Sequence, residues 1–172
     1  MLNIVSTVTI CTLDQKLDLQ KLSTKIDGAI LPKKGGSLVK FRMKPENYYI
    51  AFYKTGKILI TGIKSLEEIN CTAQKILKIL AKAGIVIQIV KIEIVNIVCL
   101  GAIHLNKTLE CVVGILDSSD VSYEPEQFPG LIYKNWGATF LLFSSGKVVL
   151  TGIKDLENAN RLLEKFEKSI QN

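Results

Sequence analysis

Histidine is almost absent from this chain: His104 is the only one in 172 residues. The four cysteines, Cys11, Cys71, Cys99 and Cys111, never fall in a Cys-x-x-Cys spacing. A zinc site or a Cys-His catalytic pair has little to be built from, and no cofactor or metal is expected. All four cysteines read as small buried or half-buried apolar residues in a reducing compartment, and His104 as an ordinary surface residue. No uninterrupted apolar run reaches the length of a membrane span, and Met1-Leu2-Asn3 enters a strand-like pattern with no charged leader. Both absences point to a soluble, intracellular protein. Missing too is a glycine-rich phosphate loop followed by lysine and serine or threonine. The polar residues are scattered rather than gathered, so an enzyme is not expected.

What is present is apolar and basic. An apolar content of 48% suffices for one sizeable core or two small fused ones. The net charge of +6 favours a polyanionic partner without identifying it. The charge is unevenly divided. Residues 1–91 hold 15 Lys and Arg against 6 Asp and Glu, a balance of +9, while residues 92–172 hold 7 against 10, a balance of −3. A solvated basic surface accounts for most of these lysines as well as a phosphate-facing one does.

The chain repeats itself. Asn3-Ile4-Val5 recurs as Asn96-Ile97-Val98, 93 residues on, and Gly56-Lys57 with Thr61-Gly62-Ile63-Lys64 recurs as Gly146-Lys147 with Thr151-Gly152-Ile153-Lys154, 90 residues on. The copies are placed at 1–91 and 92–172. In the first, alternation predicts strands over Leu2 to Ile10, Ala29 to Leu31, Leu38 to Met43, Tyr48 to Tyr53 and Lys57 to Thr61. A short helix is expected over Leu17 to Ile26 with Leu19, Leu22 and Ile26 inward. A longer one begins at Ser65, with Glu68 completing a capping box and Leu66, Ile69, Ala73, Ile76, Leu77 and Leu80 buried, and it stops at Gly84. The second copy repeats the order: strand Ile92 to Leu100, helix Leu109 to Ile115, strands to Thr151, helix Asp155 to Ile170. Strand, helix, four strands, helix gives an α+β unit whose helices cover one sheet face and leave the other free.

Two runs carry the chemistry. Ser122 to Tyr133 is a turn in which Pro125 and Pro129 brace Glu126-Gln127-Phe128 and Gly130 lets the chain leave at a close angle, holding Phe128 near the tip. Phe143 to Gly152 is a strand, a tight turn and a strand. On strand parity Phe143 shares a face with Leu141, and Val149 with Thr151. The first-copy counterparts are Tyr53 with Ala51, and Leu59 with Thr61. Asn3 pairs with Val5, and Asn96 with Val98, by the same rule. β propensity alone would put Val, Leu and Thr in such strands, but a face of aliphatics, rings, threonine and asparagine with few charges is unusual in water and reads as a binding surface.

Glu124-Pro125-Glu126-Gln127-Phe128-Pro129-Gly130-Leu131-Ile132-Tyr133 and the Phe-x-Ser-Gly-Lys-Val-Val-x-Thr-Gly run from Phe143 resemble the signatures of the TATA-box-binding protein family in its archaeal form. The resemblance implies two tandem pseudo-symmetric repeats joined in one curved antiparallel sheet, a saddle with helices on the convex face and A/T-rich promoter DNA against the concave one. It implies binding and bending in the minor groove by neutral donors, apolar contacts and inserted phenylalanines, a mode of which these proteins are themselves the usual example. Carried over residue by residue, the floor contacts are Asn96, Val98, Leu141, Val149 and Thr151, with Asn3, Val5, Leu59 and Thr61 in the first half. Phe128 and Phe143 are wedges, Pro129 lies beside the first, and Tyr53 stands opposite Phe143. Glu124, Glu126 and Gln127 are implied contacts for transcription factor B, through which RNA polymerase is recruited. Acidic side chains there suit a protein better than phosphates. A cytoplasmic location on the archaeal nucleoid follows, or a nuclear one in a eukaryote, and an uncovered face can self-associate without DNA.

The first copy departs from the family pattern. Aligning Pro32 with Pro125 sets Gly35 opposite Phe128, so one wedge is gone, and Phe41 is too far along to replace it. Tyr53 keeps a ring and adds a hydroxyl. Lys134-Asn135-Trp136-Gly137 is a hairpin shorter than the family's and without its usual proline and arginine, which removes phosphate contacts or adds Trp136 as a contact of its own. A general initiation factor is the leading reading. A diverged paralogue regulating through protein contacts, with weak DNA binding, is the alternative, and an accessory domain of a DNA glycosylase is a third.

Overall fold

A computed structural model describes residues 2–32 and 35–171. The elements run β1 (Asn3–Leu13), α1 (Leu19–Lys25), β2 (Leu38–Met43), β3 (Tyr48–Tyr53), β4 (Lys57–Ile63), α2 (Glu68–Lys82), β5 (Ile89–Ala102), α3 (Leu109–Ile115), β6 (Val121–Ser122), β7 (Leu131–Asn135), β8 (Ala138–Leu142), β9 (Lys147–Ile153) and α4 (Leu156–Gln171). They form two compact units, one of Ser6–Val95 and one of Met1–Val5 with Asn96–Asn172. The division falls inside β1 and inside β5, four residues beyond the boundary expected at Lys91. Each unit is α+β and antiparallel.

In the unit Ser6–Val95 the strands lie in the order β2-β3-β4-β1. Val39, Met43, Ile50, Phe52, Ile58, Ile60, Ile63 and Cys11 alternate onto one face and pack against Leu19 and Leu22 of α1 and Ile69, Ala73, Ile76 and Leu80 of α2. Asp18 caps α1 by accepting from the Lys21 N–H at 3.1 Å. The capping box expected at Ser65 is not formed. The Ser65 hydroxyl donates to the Glu67 carboxylate and the helix opens three residues later through a turn from Glu68 N–H to Ser65 C=O. At the other end Gly84 N–H bonds Ala81 C=O and Ile85 N–H bonds Leu80 C=O, a double closure that Gly84 permits at φ 74°. The strand expected over Ala29 to Leu31 shrinks to a single bridge between Ile30 and Lys40, because Pro32 and the glycines at 35 and 36 cut it short.

In the other unit the order is β5-β9-β8-β7-β6. Phe140, Tyr133 and Phe166 stack at its centre, with ring centroids 4.6 Å apart for Phe140 and Phe166 and 5.4 Å for Tyr133 and Phe166. Trp136 joins them edge-on at 5.6 Å from Tyr133, under the Lys165 ammonium at 4.2 Å. Trp136 therefore belongs to the helix side and is not an added contact on the free face. Cys11 and Cys99 are buried, which pushes the Cys11 thiol up to about 11 and raises that of Cys99. Cys71 and Cys111 are exposed, contrary to the expectation that all four are covered. They sit on the outer faces of α2 and α3, where no strand lies over them.

Candidate nucleic-acid interface

Strand register decides which side chains share the free face. In the second unit Leu141 stands opposite Val149 and Ile132, and Thr139 opposite Thr151 and Lys134. Leu100, 37% exposed, stands opposite Val149. In the first unit Ala51 stands opposite Leu59 and Lys40, Tyr49 opposite Thr61 and Arg42, and Ile10 and Val8 opposite Leu59 and Thr61. Each unit thus presents a flat band of aliphatic and hydroxyl side chains with cations toward the edge strand.

Asn96, on β5, is held in one orientation. Its Oδ1 accepts from the Gly152 N–H at 2.9 Å, and its Nδ2 donates to Thr151 Oγ1 at 3.1 Å. A backbone N–H can only donate, so the amide cannot be flipped, and the second Nδ2 hydrogen remains a donor. Gly152 makes this possible. It belongs to a bulge on β9, opposite the step from Ile97 to Cys99 of β5, and adopts φ 86°, a conformation that disfavours side chains. Gly62 repeats the bulge at φ 103° opposite Thr7 and Val8.

Phe128 and Phe143 meet edge to face, centroids 5.8 Å apart, both half-buried. A Cβ on Gly130 would lie 2.7 Å from Phe128 and 3.0 Å from Phe143, so it is close approach of two rings that requires glycine there, not a turn. The loop is folded by Glu124 C=O, which accepts from both Gln127 and Phe128 N–H at 2.9 Å. Glu124, Pro125, Glu126 and Gln127 are exposed around a shallow hollow, and Pro129 is exposed beside Phe128.

Two sequence expectations move. The pairings relate the copies by 90 residues throughout β1 and β5: Thr7 opposite Ile63 matches Ile97 opposite Ile153. Ser6 and Val8 are then the counterparts of Asn96 and Val98. Asn3 and Val5 lie outside the ladder with β4 and group with the other unit, so they do not flank Leu59 and Thr61. The repeated Asn-Ile-Val is three residues out of register. Counting back 90 from Asn96, as the Thr-Gly motifs already prescribe, would have found Ser6. On β2 the pairing of Lys40 with Ala51 and of Ile132 with Leu141 matches Phe128 to Gly36, not Gly35, and Gly130 to Leu38. Phe41 faces the core, 6.4 Å from Phe52. Tyr53 is half-buried beside Ile10, Thr55, Lys57 and Leu59.

Carboxylates are nearly excluded from the strands, while cations occur on strands, helices and loops alike. Within the described strands the single carboxylate is Glu93, 2.8 Å from Lys91, whereas Lys40, Arg42, Lys57, Lys134 and Lys147 all lie in strands. Arg42 rests over the Tyr49 ring at 5.5 Å and donates to Asn47 C=O at 3.1 Å, so its charge is positioned rather than loose. Acids sit on helices and loops. Tyr123, behind the phenylalanine loop, donates to Glu110 at 3.2 Å, and burial first, then the Glu110 charge, holds its phenol above the usual range. Among the described residues no three His, Cys, Asp or Glu side chains gather to hold a metal, and no helix is long and apolar enough to cross a membrane.

The family described as transcription factor TFIID, or TATA-binding protein, matches residues 1–83 and 91–172. A TATA-box-binding protein of Archaeoglobus fulgidus is 32% identical over 99% of this chain and 94% of its own length. One of Sulfolobus acidocaldarius is 36% identical over 98% and 85%. Among solved structures, that of Methanococcus jannaschii TBP superposes with a TM-score of 0.87 at 31% identity, covering 99% of this chain and 98% of the other.

Proposed function

The chain belongs to the TATA-box-binding protein family, whose members are DNA-binding transcription initiation factors and not enzymes, and from that premise we propose that it lies in the minor groove of A/T-rich promoter DNA and bends it. The observation that carries the reading is the strand face itself: apolar and hydroxyl side chains, one oriented amide donor, cations toward the edge strands and, among the described strands, a single carboxylate, Glu93, beside Lys91. The minor groove of A·T pairs offers acceptors only, so neutral donors and apolar contact suit it, and a carboxylate would not.

In the second unit Asn96, Val98, Leu141, Val149 and Thr151 line the floor, and Phe128 and Phe143, with Pro129 alongside, enter the base stack. In the first unit Leu59, Thr61 and Tyr53 do so with Val8, and Ser6 takes the place first given to Asn3, as Val8 takes that of Val5. Specificity then rests on how easily TA steps deform. Glu124, Glu126 and Gln127, all exposed and the first two acidic, are the contact for transcription factor B, and through it for RNA polymerase. A second reading, a regulator working chiefly through protein contacts, is favoured by Gly36 standing where the other unit has Phe128.

Energy transfer between the ends of a labelled TATA duplex, with and without transcription factor B, tests this. Strong bending is expected, greatly reduced in Phe128→Ala and Phe143→Ala. Absence of bending at any workable salt, together with stable binding of transcription factor B, selects the regulator.

A further inference from the structure

The first unit has lost a ring from its loop, yet the strand beside it carries a side chain where the second unit has a glycine. Leu38 occupies the position that Gly130 holds in the second unit, directly opposite Tyr53 as Gly130 is level with Phe143. In the second unit even a methyl group there would collide with both rings. The two arrangements exclude each other: a side chain on the strand, or a ring from the loop. Directly opposed residues on a sheet face hold their Cβ atoms about 5 Å apart, so Leu38 and Tyr53 form a joint apolar edge as Phe128 and Phe143 do. Further along the same face of β2 come Lys40 and Arg42, where β7 carries Ile132 and Lys134.

We propose that Leu38, seated on Tyr53, is the inserting residue of the first unit, and that Lys40 and Arg42 on the same strand face hold the phosphates next to it. The proposal rests on the DNA-binding reading above. An aliphatic side chain fixed to a strand reaches less far into a base step than a ring on a braced loop, so the first unit opens its step less. Charge compensates: it adds one cation to the edge strand at the position of Ile132. The two units then grip one duplex by different means, and its two ends are bent unequally.

The test uses the full chain and a duplex carrying 2-aminopurine at one or the other end of the A/T-rich element, with dyes on both ends. Leu38→Ala is expected to reduce base unstacking at one end only, Phe128→Ala at the other only, each weakening binding by about tenfold. Lys40→Ala and Arg42→Ala are expected to leave unstacking intact while lowering the slope of log affinity against log salt by about one each. Gly36→Phe combined with Leu38→Gly is expected to raise unstacking at the Leu38 end. Wild-type unstacking at both ends that Leu38→Ala leaves unchanged overturns this inference and spares the promoter-binding function. Failure of the wild type to bind or bend any A/T-rich duplex overturns both. Thermal melting of each variant separates these results from misfolding.

Discussion

At the scale of single residues the two units test each other. Thr7 and Thr9 are fully buried on the helix side of β1, with hydroxyls that find no partner, whereas their counterparts 90 residues on are Ile97 and Cys99. An unpaired buried hydroxyl costs about 1–3 kcal/mol, and valine has nearly the same shape. Thr9→Val is therefore expected to stabilise the chain by about 1 kcal/mol, read as a raised urea midpoint at unchanged slope. The free face offers the opposite case. Asn96→Asp keeps the acceptor for the Gly152 N–H and loses both amide donors while adding a negative charge toward the groove. The fold should survive with a melting temperature near wild type, and DNA affinity should fall by well over about tenfold, since a good base-edge contact is worth roughly 1–3 kcal/mol before repulsion is added.

At the scale of elements, the phenylalanine loop depends on Gly130, a buried residue with no side chain, against which both rings rest. Gly130→Ala is expected to drive Phe128 off Phe143, reducing duplex bending while leaving the melting temperature within a few degrees, because the rings are half-buried and the loop is exposed. Elements were legible in the sequence where one local signal sufficed. The alternation of β3 and β4 and the inward Leu109 and Val112 of α3 fix those spans to within two residues. Besides the strand that shrank to a bridge at Ile30, two readings failed because a local pattern competed with a non-local one. Ser65 and Glu68 have the spacing of a cap, but the Ser65 hydroxyl turns to Glu67. Asn3-Ile4-Val5 copies Asn96-Ile97-Val98 in letters, but register is set by the bulge glycines and the partner strand, which sequence similarity over three residues does not report. The Thr-Gly motifs were legible because they recur with their spacing intact, and Phe128 and Phe143 because they stand in the two runs that carry the family resemblance. Leu38 was not, since only the pairing of β2 with β3 reveals what it replaces.

At the scale of the molecule, carboxylates are nearly excluded from the strands, where Glu93 is the single one among the described residues, while the Glu124–Gln127 loop carries two exposed acids, so the strand face and that loop differ chemically. Reversing Glu124 and Glu126 to lysine is expected to leave DNA bending intact, with affinity unchanged or raised at low salt, and to abolish recruitment of transcription factor B in a gel-shift supershift. Loss of bending in that variant would place the loop's acids in the DNA contact instead. The exposed thiols add a practical consequence. Cys71 on α2 lies in one unit and Cys111 on α3 in the other, while Cys11 and Cys99 are sealed in the cores with raised thiol pKa values. A thiol-reactive dye at neutral pH should label two sites in the native chain and four after denaturation. The unaltered sequence thus carries one spectroscopic handle per repeat, and any flexing between the halves as DNA is engaged can be followed in single molecules without introducing a cysteine.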